Sequence, residues 1–473
     1  MTLHRCFTVP LLIGLQILAV AQNSPAQQGD DPSPVRTAPA GAVTGILTMS
    51  EPSNNDGGAD VPPIPAILGG AGNSLAFTSE MERSNYLRGG INVGAAYDDN
   101  ALLTSTGQVT NTTYSVFPNI AIEQSTSRMR WSLGYSAGLT VNQRLSNRNH
   151  GSHDLRFDST FRLSPHVNLR VAEDFSLIAG VFTNVGSGFE SSQSQSNTTL
   201  ITPLANTRSS QTVVETNYHY ALKDIVGASG SFSDLHYSEV TTGSGSLVDT
   251  QTAVGTVFWQ HELFHGNWGG PSYRFDRISF GSSGETRVHS FLAVDTFRFA
   301  KAFTLSGFVG PEYSDNHGVA ATGPNAGRLT DFTNWSVAAG VAGGWQTQRT
   351  SLNAGYSKRI SDGSGVLGIV RLSSVHGAWR QELHPGWDST LSASYGNNQS
   401  LTLASSTTAT TIKATSVGVS LNRNLGKSFG FQVAYSHDFQ RQSGLNTVSQ
   451  TYDANRNRVA VTLSYQWAQA LGR

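Results

Sequence analysis

The chain has 473 residues, of which only 13% are charged and 38% hydrophobic, and its formal charge at neutral pH is −1. Near-neutrality removes the electrostatic basis for binding nucleic acid. The remainder is made up by 49 glycines and many Ser, Thr and Asn residues. That balance is unlike a soluble enzyme and suits strands that are greasy on one side and small and polar on the other.

In chain order, residues 1–21 read as a secretory signal. His4 and Arg5 form a short basic start, Phe7 to Val20 an apolar run, and Ala19-Val20-Ala21 a small-x-small cleavage site. Cleavage removes Cys6, the one cysteine of the chain. The mature chain then has no thiol for a disulfide, a thiolate metal site or a nucleophile. Residues 22–80 are low in complexity and rich in Pro, Gly, Ala, Asn and Asp, too polar to bury a core. They are expected to form a disordered periplasmic tail. The apolar cluster Val61 to Leu68 leaves open a plug in the lumen. No run of 18 apolar residues follows the first 20, so no transmembrane helix is expected.

Residues 81–473 alternate. In Met129 to Val141, Trp131, Leu133, Tyr135, Leu139 and Val141 share one face, and Arg130, Ser132, Gly134, Ser136 and Thr140 share the other. This is the period of a strand. At about 3.3 Å per residue it reaches roughly 43 Å, beyond a usual soluble strand and enough to cross a bilayer on a tilt. Eighteen such segments follow from Tyr86 to Trp467, separated by short turns and longer polar loops in alternation. The faces are unclear in the ninth, tenth and fourteenth, so a count of 16 stays open. The expected fold is an all-β, antiparallel, up-and-down transmembrane barrel. Closure is required because an open sheet edge leaves backbone groups unpaired in hydrocarbon.

An even strand number places both chain ends and all short turns on the periplasmic side. Trp131, Trp259, Trp268, Trp345, Trp379, Trp387 and Trp467 all lie near a short turn or the C-terminal end, and only Trp335 lies near a long loop. Tryptophan favours the membrane interface, so these seven are expected to form an aromatic girdle against the lipid. On the opposite face, Arg130, Asp154, Arg156, Asp158, Arg162, Arg170, Glu215 and His219 come from neighbouring strands. They are the expected pore-lining charges, either setting solute selectivity or forming a self-neutralising ladder that stiffens the wall. Tyr97-Asp98-Asp99-Asn100 at a strand end offers oxygen ligands for Ca²⁺, with a solvated loop as the simpler reading. No phosphate loop, zinc spacing or nucleophile elbow is present, so no cofactor is expected.

Ile91 to Thr106 (INVGAAYDDNALLTST), followed by Val116-Phe117-Pro118-Asn119-Ile120 and the Met129 strand, resembles the start of the β-barrel porin 2 family of outer-membrane proteins. The resemblance covers about the first 80 residues of the barrel. It implies an outer-membrane barrel of undefined substrate, with some relatives linked to exopolysaccharide export. Outer-membrane proteins commonly end on an aromatic residue read by the barrel assembly machinery. Here Tyr465 and Trp467 fit that strand, but Ala468 to Arg473 follow. The first functional expectation is a porin-like channel or export pore for hydrophilic solutes or polysaccharide. The alternatives are an outer-membrane hydrolase, with His219 or His376 as candidate bases, and an adhesive barrel whose loop Thr183 to Ser210 binds partners.

Overall fold

The computed structural model describes residues 85–471, apart from 103, 106, 147–148, 180–205, 239–247, 282–283, 300–301, 321–328, 348, 364–368, 402–410, 427 and 444–452. The expected signal, the tail and most of the 183–210 loop lie outside the described residues.

Eighteen strands run in order. The first six are β1 (Tyr86–Asp98), β2 (Asn111–Ser125), β3 (Met129–Asn142), β4 (His150–Arg162), β5 (Val167–Ala179) and β6 (Asn206–Ala221). Then come β7 (Asp224–Ser238), β8 (Thr250–Phe264), β9 (Asn267–Ser279), β10 (Glu285–Phe299), β11 (Phe303–Ala320) and β12 (Leu329–Gln346). The last six are β13 (Thr350–Ser361), β14 (Val370–His384), β15 (Trp387–Ser400), β16 (Thr411–Leu425), β17 (Phe429–Ser443) and β18 (Asp453–Ala470). Each pairs antiparallel with its sequence neighbours, and β1 pairs with β18 from Tyr86↔Ala470 to Asp98↔Arg458, which closes the ring. The strand count is therefore 18, and the 16-stranded alternative is excluded. The loop expected from Thr183 is shorter than it looked, because β6 begins at Asn206.

Closure follows from local chemistry. Tight turns such as His265-Gly266 and Pro385-Gly386 reverse the chain, with positive φ at Gly266 (77°) and Gly386 (82°) that a side chain would resist. The period-2 pattern then sorts the faces. In β3, Leu133, Tyr135, Leu139 and Val141 are exposed on the outside, while Ser136, Thr140 and Asn142 are buried within. The same sorting holds around the ring, with exposed Val417, Val419 and Leu421 on β16 and Val459, Val461 and Leu463 on β18. The apolar exterior is the surface a bilayer covers, and the buried polar residues belong to the interior.

Three in-strand prolines interrupt this regularity. The β2–β3 ladder skips Phe117 and Pro118, the β8–β9 ladder skips Gly270 and Pro271, and the β10–β11 ladder skips Gly310 and Pro311. Proline has no N–H to donate, so each ladder yields locally on one side.

Candidate functional site

All eight sequence-predicted pore charges carry the inward parity of their strands. Asp154, Arg156, Asp158 and Arg162 alternate on β4 with the exposed Leu155, and Arg170 lies across from Glu215 in the β5–β6 register. Arg170 bridges two strands at once, 2.6 Å from Asp158 and 3.1 Å from Glu215. Two carboxylates thus share one guanidinium across β4, β5 and β6. Arg130 sits at the short-turn end of β3, and Arg162 at the same end of β4. His219 lies near that end of β6, and its Nε2 is buried without a hydrogen-bond partner. His376 on β14 lies against Gly355, where an added Cβ would come within 2.7 Å of the ring.

Two further charged clusters were missed by sequence reasoning. On β9, Arg274 pairs with Asp276 at 2.8 Å, close to the buried Glu312 of β11. On β17 and β18, Arg456 pairs with Asp438 at 2.5 Å and lies 3.9 Å from Asp98 of β1, with Arg458 beside it. Alternation held the signal for Arg274, which lies between Tyr273 and Phe275, and for Glu312, between Pro311 and Tyr313, but not for Arg456, which is flanked by Asn455 and Asn457.

The interior also has an apolar sector. Ile225, Phe258, Trp268, Leu292, Val294, Phe308 and Ala338 cluster on the inner face of β7 to β12. Trp268 therefore departs from the girdle expectation. It faces inward and is 7% exposed. The other six keep outward parity. Trp259, Trp345, Trp379 and Trp467 are exposed, and Trp131 and Trp387 are half-buried. Trp131 Nε1–H donates to Gln124 (3.1 Å) and Trp259 Nε1–H to Tyr220 (3.0 Å), which satisfies the polar edge of each ring.

The Asp98-Asp99-Asn100 run is not a cation site but a clasp on the barrel's closing seam. Asp99 accepts the backbone N–H and the side-chain amide of Asn457 at 2.7 and 2.6 Å. Asn100, fully buried, donates to the carbonyls of Thr104 (2.8 Å) and Asn455 (3.0 Å), and its N–H donates to Asp98 (2.9 Å). Both carboxylate oxygens of Asp99 are spent on β18, and Asp98 Oδ1 and Asn100 Oδ1 on the loop's own N–H groups. Among the described residues no group of three or more His, Cys, Asp or Glu side chains is arranged to hold a metal ion. Replacing Asn100 with Ala strands the Asn455 and Thr104 carbonyls and should cost about 1–3 kcal/mol. The urea midpoint of the detergent-solubilised barrel should fall, and an unchanged midpoint would refute the clasp.

No family model matches the sequence, and no curated protein matches it. Solved structures of similar fold include the outer-membrane protein OpdK from Pseudomonas aeruginosa, 9% identical over 81% of this chain and 99% of that one, with a TM-score of 0.40. Acinetobacter baumannii OccAB3 is 10% identical over 81% and 99%, with a TM-score of 0.40. Pseudomonas aeruginosa OpdQ is 10% identical over 82% and 99%, also at 0.40. Ring closure and an apolar exterior make this chain an 18-stranded antiparallel β-barrel of the outer membrane.

Proposed function

We propose that the chain is a passive outer-membrane channel through which hydrophilic solutes diffuse, with no chemical step of its own. The observation that carries this reading is the inner wall. Apart from the apolar sector of β7 to β12, it is built from small polar residues and from charges that largely offset one another across neighbouring strands, as Arg170 does for Asp158 and Glu215. Such a wall offers water and ions partners along the barrel axis and leaves no strong net field to trap them. An 18-stranded ring is wide enough to enclose an aqueous path, which inward side chains then narrow. The resemblance of Ile91 to Thr106 to the β-barrel porin 2 family adds exopolysaccharide to the candidate solutes. In this reading residues 1–21 direct secretion and residues 22–80 stay in the periplasm. The outward Tyr465 and Trp467 of β18 supply the aromatic signal for the barrel assembly machinery.

Planar-bilayer recording tests the proposal. The mature chain should give discrete, ohmic conductance steps. Deleting residues 22–80 should raise the conductance if that tail plugs the lumen and leave it unchanged if it does not. Silence in both forms would overturn the channel reading.

A further inference from the structure

The wall is not equally closed all round. β12 pairs with β11 along its length, up to Leu329↔Ala320. Its ladder with β13 runs only from Gln346↔Ser351 to Ala339↔Lys358. Beyond that point Arg359, Ile360 and Ser361 leave β12 while still pairing with β14, through Ser361↔Val370.

The departing segment turns inward. Ile360 donates its N–H to the Glu312 carboxylate of β11 at 3.1 Å, and Ser336 of β12 donates its hydroxyl to the same oxygen at 2.8 Å. A side-chain oxygen thus stands where a β12 carbonyl would stand in a closed ladder. Ile360 is 5% exposed and clusters with Ile278, Phe280 and Val288 of the β9–β10 loop end, with Phe332 packed against them. In sheet order β11 and β12 lie between these partners, so the tip of β13 crosses the inner face of β12 and does not lie beside it. Arg359 arrives within electrostatic range of Arg274, Asp276 and Glu312.

From Ala338 back to Asp331, the edge of β12 that points away from β11 has no strand partner among the described residues. On its outer face Trp335 and Val337 are exposed, and Trp335 packs on Tyr313 with ring centroids 5.0 Å apart. An aromatic pair of this kind marks the membrane interface, here at the loop end of the strands. A bare strand edge facing hydrocarbon costs several kcal/mol per group and is tolerated only beside protein or a wet cavity. The edge therefore opens towards the lumen.

We infer that the β12–β13 seam is a lateral port joining the lumen to the loop-side leaflet of the bilayer, and that it admits the aliphatic chain of an amphiphile. In the closed seam Ile360 covers Phe332, Val288 and Ile278, and the entering chain takes its place against them. The polar head meets the charges of Arg274, Asp276 and Glu312. The apolar and charged groups are contiguous just inside the seam, which is the pattern that a molecule with one greasy and one polar end would match. The inference rests on the barrel but not on conductance along its axis.

The test reconstitutes the full mature protein in phosphatidylcholine vesicles that carry a diazirine on the acyl chain. After irradiation, labelled residues are mapped by mass spectrometry. The inward Ser336, Phe332 and Ile360 should be labelled at least tenfold more than Thr140 and Gln211, which face inward behind closed ladders. A disulfide formed by Ser336→Cys with Ile360→Cys, two residues that both hydrogen-bond to the same Glu312 oxygen, should bring the label on Phe332 down to the Thr140 level and spare the label on Trp335. Label confined to outward Trp335 and Val337 in the wild type, or equal label on Thr140 and Gln211, would overturn the port. Intact conductance with either of those results would overturn the port alone and leave the channel standing.

Discussion

Gly310→Ala should destabilise the barrel at or above the upper end of the about 1–3 kcal/mol typical of overpacking. An added Cβ would lie 1.8 Å from the Phe291 carbonyl oxygen, 2.8 Å from the Phe291 carbonyl carbon and 2.9 Å from the Leu292 Cα. All three atoms are backbone, so no side chain can rotate away. The close approach has a cause one residue on. Pro311 has no N–H to give β10, the ladder skips this pair, and the Phe291 carbonyl swings over Gly310. Gly270-Pro271 repeats the device one hairpin earlier, where the Cβ would sit 2.0 Å from the Trp259 carbonyl oxygen. Urea unfolding, followed by the gel shift between folded and heated forms, reads the effect. Gly255→Ala is the control, since nothing lies within 4 Å of its added Cβ. Equal midpoints for Gly310→Ala and Gly255→Ala would show that the Gly-Pro step can relax without cost.

The strands themselves were legible because the period of two is written in side chains. β1 and β3 start at the expected Tyr86 and Met129, and the inner and outer faces of β3, β4 and β6 follow from parity alone. The count became ambiguous where parity lost its meaning. On β10, Val288, Leu292 and Val294 are apolar and inward while Phe291 and Ala293 are apolar and outward, and each face also carries polar residues, so the two faces look alike. That strand is greasy on both sides because its inner side belongs to the interior apolar sector. Trp268 was misplaced for the same reason. It precedes Gly269-Gly270-Pro271, a stretch with no alternation to assign it a side.

Other features were out of reach because parity says which way a residue points and not what it meets. The clasp from Asp99 and Asn100 to β18 joins residues more than 350 apart in sequence. Nothing local distinguishes a loop-end carboxylate that binds Asn457 from one that waits for a cation. The inward departure of β13 is likewise a statement about the spacing between strands. Its chemical trace is Glu312, an acidic residue in mid-strand, whose partner is a backbone N–H from two strands away.

Arg170→Ala should make the channel more cation-selective, and the size of the change follows from the geometry of the ladder. Arg170 holds Asp158 at 2.6 Å and Glu215 at 3.1 Å, and its own side chain is 41% exposed to the lumen. Removing it converts a cluster of net charge −1 into one of −2 on the inner wall. One extra unit charge about 5 Å from a passing ion in a watery lumen is worth roughly 1 kcal/mol by Coulomb's law. The cation-to-anion permeability ratio, read from reversal potentials across a salt gradient, should therefore rise about two- to fivefold. Near 1 M salt, where the screening length falls to about 3 Å, the shift should fade. Adding Glu215→Gln removes one of the two freed carboxylates and should return the ratio towards that of the wild type. The exposure of Arg170 also separates this effect from folding, because a bridge open to water loses less stability than a dry one when one partner goes. Arg208 has the opposite parity on β6, with 52% of its side chain exposed and Asp234 at 3.6 Å. Arg208→Ala should leave selectivity unchanged, and an equal shift in both variants would place the Asp158–Arg170–Glu215 ladder outside the path of the ions.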